Sequence, residues 1–459
     1  MKRLWPFGWS RDDSKKSRIS PSTKRDRVLS YANLKQILAM LEPNVRRNIS
    51  HTIPSLRSTE KHTPLSLDLL SFGAMEMVLN DTTYQFGIIR QFHPGYEMTQ
   101  RIRKENESGG TRHDLDRFGL EDRPEQGLHV EFLYYELPTR AENMRTLEVL
   151  EDRLADSLIE DDDDELVNEF KNHIFPLRLQ RDNRSGPYES VLRYKKSSKG
   201  SGEAMVFEKN YQPGSNAMFT EYKKLVHDFL GDRTQIVEVR KLEFSAWNTA
   251  IPLPPNVRFK IKELSVASDA GLVLETVLPL IDESSFPLEI LETGRYHRYP
   301  NEDIHPVIQS AKLLVLKDHY EASYQFEVYP KNVHYVDDEE NRPGEMKYLP
   351  FIRYWLRHPP EAGTRFTAGF FTERYYSKKM KAIKKKFKLS GEGPYTIPLT
   401  ADTQIKMDHK TIDPTDPTSY NQSFMLMLEV VPVQQQQQQG FFSRFSKISE
   451  FFSSFFWSK

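Results

Sequence analysis

Three charged clusters in this chain carry residue types that do chemistry. His113-Asp-Leu-Asp116 sets an imidazole and two carboxylates within four residues. Such nitrogen and oxygen donors suit a divalent cation. The cluster falls in a polar stretch from Lys104 to Gly127, longer than an ordinary connection. In such a loop the same side chains are normally solvated or close Asx turns. Glu160 to Glu165 is an unbroken acidic run. It lacks the alternating ligands and glycine of an EF-hand loop, so it reads as a solvated linker or helix start. Lys378 to Lys388 holds seven lysines, with Met380, Ile383 and Phe387 on one helical face. It would meet phosphate, an anionic lipid or an import receptor, or it packs its apolar stripe and leaves the lysines in water.

None of these clusters makes a convincing catalytic set. Gly200-Ser-Gly202 lacks the third glycine of a dinucleotide-binding turn, and no Gly-Lys-Ser/Thr phosphate loop occurs. There is no Gly-x-Ser-x-Gly elbow and no His-Glu-x-x-His helix. No catalytic residue, cofactor or metal is therefore expected, and an enzyme of unknown class stays a secondary alternative.

The C-terminal segment is built for contact. Phe441, Phe442, Phe445, Ile448, Phe452, Phe455 and Phe456 fall within roughly 140° at 100° per residue. An aromatic amphipathic helix of this kind docks on its own core, on a partner, or on a membrane interface. Gln434–Gln439 before it reads as a flexible tether.

The elements that would position these groups are mixed. Leu242/Phe244, Leu264/Val266, Leu288/Ile290 and Leu313/Val315 form four short apolar rungs, the leucines 22, 24 and 25 residues apart. A period of 20–29 residues with one strand per unit is a leucine-rich-repeat-like signature, with parallel pairing across right-handed connections. Between rungs, Leu274, Val277 and Leu278 mark a helix that Pro279 ends, and 303–310 a shorter one. Upstream, the pattern predicts strands across 64–136, a helix over 141–156 and a hairpin of Tyr188–Tyr194 with Ala204–Glu208. A helix from Phe219 to Leu230 follows, with Gly231 as its C-cap. Downstream come a helix carrying Phe351, Tyr354 and Trp355, a strand at Arg365–Phe371, the basic helix, and strands near 395–397, 404–407 and 424–431.

Composition narrows the class. Of 459 residues, 38% are hydrophobic and 28% charged, with a net charge of −1. A balanced charge argues against a chain dominated by nucleic-acid binding. With no cysteine, disulfides, zinc-thiolate sites and Cys nucleophiles are excluded. The first nine residues are too short and too interrupted for a signal peptide, and no stretch reaches the ~18 apolar residues of a span. A cytoplasmic protein is expected, a nuclear one being the alternative, and the sequon Asn80-Asp-Thr82 is expected to be idle.

Four segments taken together resemble a nematode-expanded family. They are Ser30-Tyr-Ala-Asn-Leu-Lys-Gln-Ile-Leu38, Asp114-Leu-Asp-Arg-Phe-Gly119, Leu278-Pro-Leu-Ile-Asp-Glu-Ser-Ser-Phe-Pro-Leu288 and Gly363-Thr-Arg-Phe366. That family carries a domain of unknown function related to F-box-associated proteins. The resemblance covers about 29–431 and implies no established activity. The opening helix also resembles a degenerate F-box, which implies that Leu34, Ile37, Leu38 and Leu41 would face a Skp1-type adaptor. Leu29-Ser30 stands where Leu-Pro is usual.

The expected fold is α/β, with a short degenerate leucine-rich-repeat-like parallel segment between flanking α+β elements. The expected order is a basic leader (1–28), an F-box-like helical segment (29–63), an α+β region (64–232), the repeat-like segment (233–330), an αβ segment (331–432) and the tail (433–459). The expected function is a protein-interaction module, in its specific form a substrate receptor of a ubiquitin ligase. Its alternatives are peripheral membrane association through the tail and catalysis.

Overall fold

The computed structural model describes residues 30–123, 130–132, 137–159, 164–200, 202, 204–245, 249–295, 305–317, 330–336, 348–391, 393–412, 420 and 422–433. The leader, the glutamine tract and the aromatic tail (Phe441, Phe442, Phe445, Ile448, Phe452, Phe455, Phe456) lie outside them. The chain folds as mixed α/β in two compact units. One runs to Ile261 and takes in Thr276–Asp282; the other comprises Lys262–Glu275 and the chain from Glu283 on. No described helix is long and apolar enough to cross a membrane.

The first unit opens with three helices, α1 (Tyr31–Met40), α2 (Pro43–Thr52) and α3 (Arg57–Lys61). Strands β1 (Ser66–Gly73), β2 (Glu76–Leu79) and β3 (Thr82–Phe92) follow as an antiparallel meander. Asn80 takes φ 50 at the β2–β3 turn, a left-handed position that asparagine tolerates. Its side-chain oxygen accepts from the backbone of Asp68 and Leu69. Helix α4 (Gln100–Glu107), the paired strands β4 (Asp114–Leu115) and β5 (Glu121–Asp122), and β6 (Val130–Phe132) come next. Helices α5 (Arg140–Ile159) and α6 (Asp164–Arg181) pack through Leu147, Leu154, Val167, Ile174 and Leu177. The unit continues with β7 (Tyr188–Ser198), β8 (Ala204–Asn210), α7 (Ala217–Leu230), β9 (Val237–Phe244) and β10 (Thr249–Ile251).

The order of its main strands is β9-β1-β2-β3-β7-β8. Strand β9 runs parallel to β1, and Phe72 and Phe244 meet in register with their rings stacked 5.8 Å apart. The core lies between these strands and α7, whose Met218, Tyr222, Leu225, Val226 and Phe229 are buried. The polar stretch after Lys104 is not a solvated loop. Its Gly109-Gly110 pair presses on β3, where a Cβ on Gly87 would stand 2.2 Å from the Gly109 carbonyl oxygen. Thr111 then bonds Ile88 through both backbone groups, and Asp114 and Leu115 are buried. Gly231 does cap α7, but with φ −69; Asp232 takes the left-handed position instead. A Cβ there would stand 2.5 Å from the exposed His227 ring, which would have to turn aside.

The second unit contains most of β11 (Phe259–Asp269), then α8 (Ala270–Val277), β12 (Ile290–Arg295), α9 (Pro306–Ser310), β13 (Leu314–Lys317) and β14 (Asn332–Val336). It is completed by α10 (Tyr348–Arg357), β15 (Arg365–Phe370), α11 (Glu373–Phe387), β16 (Tyr395–Pro398), β17 (Thr403–Thr411) and β18 (Phe424–Pro432). Its strand order is β16-β17-β18-β15-β14-β13-β12-β11. Strands β11 to β15 pair in parallel, and β15 to β18 close the edge antiparallel. The rungs differ from those expected. Leu264 meets Leu291, then Leu314, Val333 and Phe366; Val266 meets Thr293, Leu316, Tyr335 and Ala368. The third rung is thus Leu291/Thr293, not Leu288/Ile290, and the fourth Leu314/Leu316, not Leu313/Val315. The spacing is unequal, and the last crossover holds α10, so the strands stack without a regular repeat unit.

Candidate functional site

The four α1 residues expected to meet an adaptor do not share one environment. Ser30 caps the helix by accepting from the Asn33 N–H at 3.2 Å. Leu38 is 2% exposed and anchors the helix. Leu34 and Leu41 are half-buried, and Ile37 is 44% exposed. Tyr31 and Val45 are also exposed, and Met40 is 86% exposed; Ile37 and Met40 lie about 60° apart on the helix, whereas Tyr31 lies beyond the buried Leu38. No sequence signal separated Met40 from the buried face; its flanking position on the helix is visible only once Leu38 is placed.

The helices after α1 build a buried charge cluster. Arg46 on α2 and Arg233 both reach Glu60 Oε1, at 3.1 and 2.6 Å. Arg46 also donates to the carbonyls of Pro64 (2.7 Å) and Thr63 (3.2 Å). Lys61 Nζ donates to the Asp228 carbonyl at 2.6 Å and the His227 carbonyl at 3.3 Å, satisfying the C-terminal end of α7. Burial pushes the Lys61 ammonium down to about 8, with Arg233 adding to the effect against Glu60 and Asp228. Burial likewise lowers Arg46, which Glu60 opposes. Arg47 and His51 both approach the Asp228 carboxylate, at 2.9 and 3.3 Å. Most of these donors meet protein acceptors, Arg46 Nε being buried without one. The cluster therefore fixes the helices in place.

His113, Asp114 and Asp116 are set to different tasks. Asp114 accepts from the backbone N–H groups of Met218 (3.1 Å) and Phe219 (2.9 Å), serving as a remote N-cap of α7. Burial raises its carboxyl, while those two N–H bonds pull it back. Asp116 closes an Asx turn by accepting from Phe118 (2.8 Å) and Leu120 (2.9 Å). His113 is held below its usual range by burial, with Glu121 and Glu105 pulling the other way. Among the described residues no group of three His, Asp or Glu is placed to hold a metal. Of the acidic run, Asp164 and Glu165 start α6 and 160–163 lie outside the described residues. Glu165 lines an open cleft of about 510 Å³ with Arg101, Lys104, Glu105 and Glu169, where both signs of charge are present.

A polar row in the second unit escaped the sequence reading. Glu292, Val315, His334 and Thr367 are register partners on four adjacent parallel strands, so they share one face. Glu292 accepts from Lys317 Nζ at 2.7 Å and from the Tyr420 hydroxyl at 3.0 Å. The Tyr420 ring stacks on His334 at 5.4 Å. Burial and the Glu292 charge keep Tyr420 neutral. His334 Nδ1 lies 2.7 Å from Thr367 Oγ1. Burial pushes the imidazole down to about 4, against the pull of the Gln422 amide and Glu292. Gln422 is fully buried and sits directly on Gly369, where any Cβ would collide with it. Its amide is near enough to favour a protonated ring, yet neither it nor His334 Nε2 completes a hydrogen bond of good geometry. A neutral imidazole beside a hydroxyl is the chemistry of a general base. Here His334 and Gln422 are sealed, so the row ties the chain at 420–422 across the parallel strands.

A domain of unknown function, DUF3557, is found at residues 218–372. The DUF3557 segment begins at Met218, the residue capped by Asp114, and ends at Thr372, the N-cap of α11. It therefore takes in α7, β9 and all five parallel strands through β15. The first two helices and the closing antiparallel strands lie outside it. No curated protein and no solved structure matches the chain.

Proposed function

We propose that this protein is an interaction module, and that α1 docks a protein partner through Ile37 and Met40. What supports the reading is that these two large apolar side chains, about 60° apart on the helix, face water while Leu38 is buried. The resemblance of this helix to a degenerate F-box makes a Skp1-type adaptor the partner to try, with the chain acting as a substrate receptor of a ubiquitin ligase. On that reading the parallel strands of the DUF3557 segment are the scaffold that presents the substrate surface.

The test is co-purification of the full chain with a Skp1-type adaptor. Ile37→Asp with Met40→Asp is expected to abolish capture while the thermal unfolding midpoint stays put, because both side chains are exposed. Failure of the intact chain to retain the adaptor, or equal retention by the double variant, overturns the adaptor reading. Leu38→Asp is unsuitable as the probe, because it places a charge in a site that is 2% exposed.

A further inference from the structure

We infer that α11 is a docking face for an anionic phospholipid surface. Arg374, Lys378, Lys381 and Lys385 are all exposed and follow one another at intervals of four, three and four residues. At 100° per residue they fall within about 60° of arc, and at 1.5 Å per residue they span about 17 Å. The opposite face is committed to the core: Met380 and Ile383 are buried and Phe387 is half-buried. Two of the other lysines are occupied. Lys379 is buried with its ammonium over the Tyr375 ring at 4.5 Å, and Lys384 lies over Tyr395 and reaches the Gly391 carbonyl. Lys386 is exposed away from the row, and Lys388 is the left-handed C-cap at φ 52. The helix thus places four cations on one outward row.

Two observations favour a lipid surface over other polyanions. The row starts beside Phe371, which is 37% exposed, directly before the Thr372 N-cap. An exposed aromatic next to a basic row suits insertion at a headgroup interface. Three of the four cations of the row are lysines, point charges on flexible stems that follow mobile headgroups, whereas fixed phosphates favour the arginine fork. The chain's net charge of −1 supplies no general basic field, so attraction would be local to this face. Lysines near an anionic leaflet each add a comparable increment, and salt screens it.

Flotation of the full chain with vesicles of equal parts phosphatidylserine and phosphatidylcholine tests this. Binding is expected, is absent with phosphatidylcholine alone, and disappears in high salt. Lys378→Gln, Lys381→Gln and Lys385→Gln together should lower partitioning roughly a hundredfold, and the matching Lys→Arg set should restore it. Circular dichroism should show both sets folded. No flotation on the anionic vesicles, equal flotation on neutral ones, or undiminished binding by the triple Gln variant overturns the inference. So does a chain ended at Val433 that loses binding while the triple variant keeps it, which would assign the membrane to the aromatic tail. Charge-dependent capture on polyglutamate beads without vesicle binding likewise overturns it, in favour of an acidic protein.

Discussion

Glu60 neutralises two guanidinium groups in a place that water does not reach, with its own side chain and those of Arg46 and Arg233 each at most 4% exposed. Removing it leaves both cations buried without a counter-charge, whereas removing an exposed ion pair leaves two solvated groups. Glu60→Gln should therefore lower unfolding free energy by about 3–5 kcal/mol in urea titrations, while Glu361→Gln, whose pair with Lys331 is exposed, should change it little. His334 carries a pH dependence of definite sign. It is held near pKa 4 in the fold against about 6.5 unfolded. Both states are neutral above pH 7, so its site is then at full stability. As pH falls from about 6.5 towards 4 the unfolded chain takes up the proton first, and stability is lost across that window. His334→Gln should flatten the slope of unfolding free energy between pH 6.5 and 4 relative to the parent; an unchanged slope would remove His334 as its source. Neither residue was legible as special in the sequence. Glu60 is one acid among 65 Asp and Glu, and its role depends on Arg233, which chain folding alone brings to it. Asp114 was weighed as a metal ligand and read as solvated, whereas its partners are backbone N–H groups of a helix start, and the identity of a backbone donor leaves no mark in a sequence.

The same Asp114 matters most for the element it caps. Helix α7 has Asn216 at its N-cap in a left-handed conformation, and that side chain makes no capping bond. The first-turn N–H groups of Met218 and Phe219 would be orphaned in a buried setting without the Asp114 carboxylate. Asp114→Ala should cost about 1–3 kcal/mol and increase amide exchange at Met218 and Phe219, while Asp114→Asn should keep part of the stability through its remaining acceptor. Exchange unchanged at those two amides would argue that the cap is dispensable. Helices with an open face, such as α1, α7 and α11, were legible because one side stays polar. The parallel strands were legible as strands but not in register. Leu288-Glu-Ile-Leu-Glu-Thr293 and Leu313-Leu-Val-Leu316 carry apolar residues on both alternations, since β12 and β13 are buried on both sides. A slip of one residue exchanges the two faces of a strand, and with both faces apolar the pattern cannot register the slip. Strand β14, with its His334, escaped for a related reason: Asn332-Val-His-Tyr-Val336 has only two aliphatic residues to mark a rung.

At the scale of the whole molecule, the helices before Pro64 are built into the first unit and are not a detachable leader. Arg46, Glu60 and Lys61 reach Arg233 and the end of α7, and Asn44 donates to Thr82 at 3.0 Å and accepts from the Tyr84 hydroxyl. A segment read from sequence as a separate F-box-like piece therefore shares its buried polar network with strands and helices far along the chain. This separates two outcomes that a simple deletion would confuse. A chain beginning at Pro64 would leave Arg233 without Glu60 and Tyr84 without Asn44 in buried positions, and the partly buried last α7 carbonyls without Lys61. It should lose cooperative unfolding of the first unit and become sensitive to limited proteolysis within β1 to β3. The Ile37→Asp, Met40→Asp chain touches only the solvent edge, and its unfolding free energy should stay within about 0.5 kcal/mol of the parent. If an adaptor seats on that edge, it binds only the folded unit, so saturating adaptor should raise the unfolding midpoint of the parent and leave the double variant unmoved. A chain beginning at Pro64 that unfolds as cooperatively as the parent would overturn the view that these helices belong to the core.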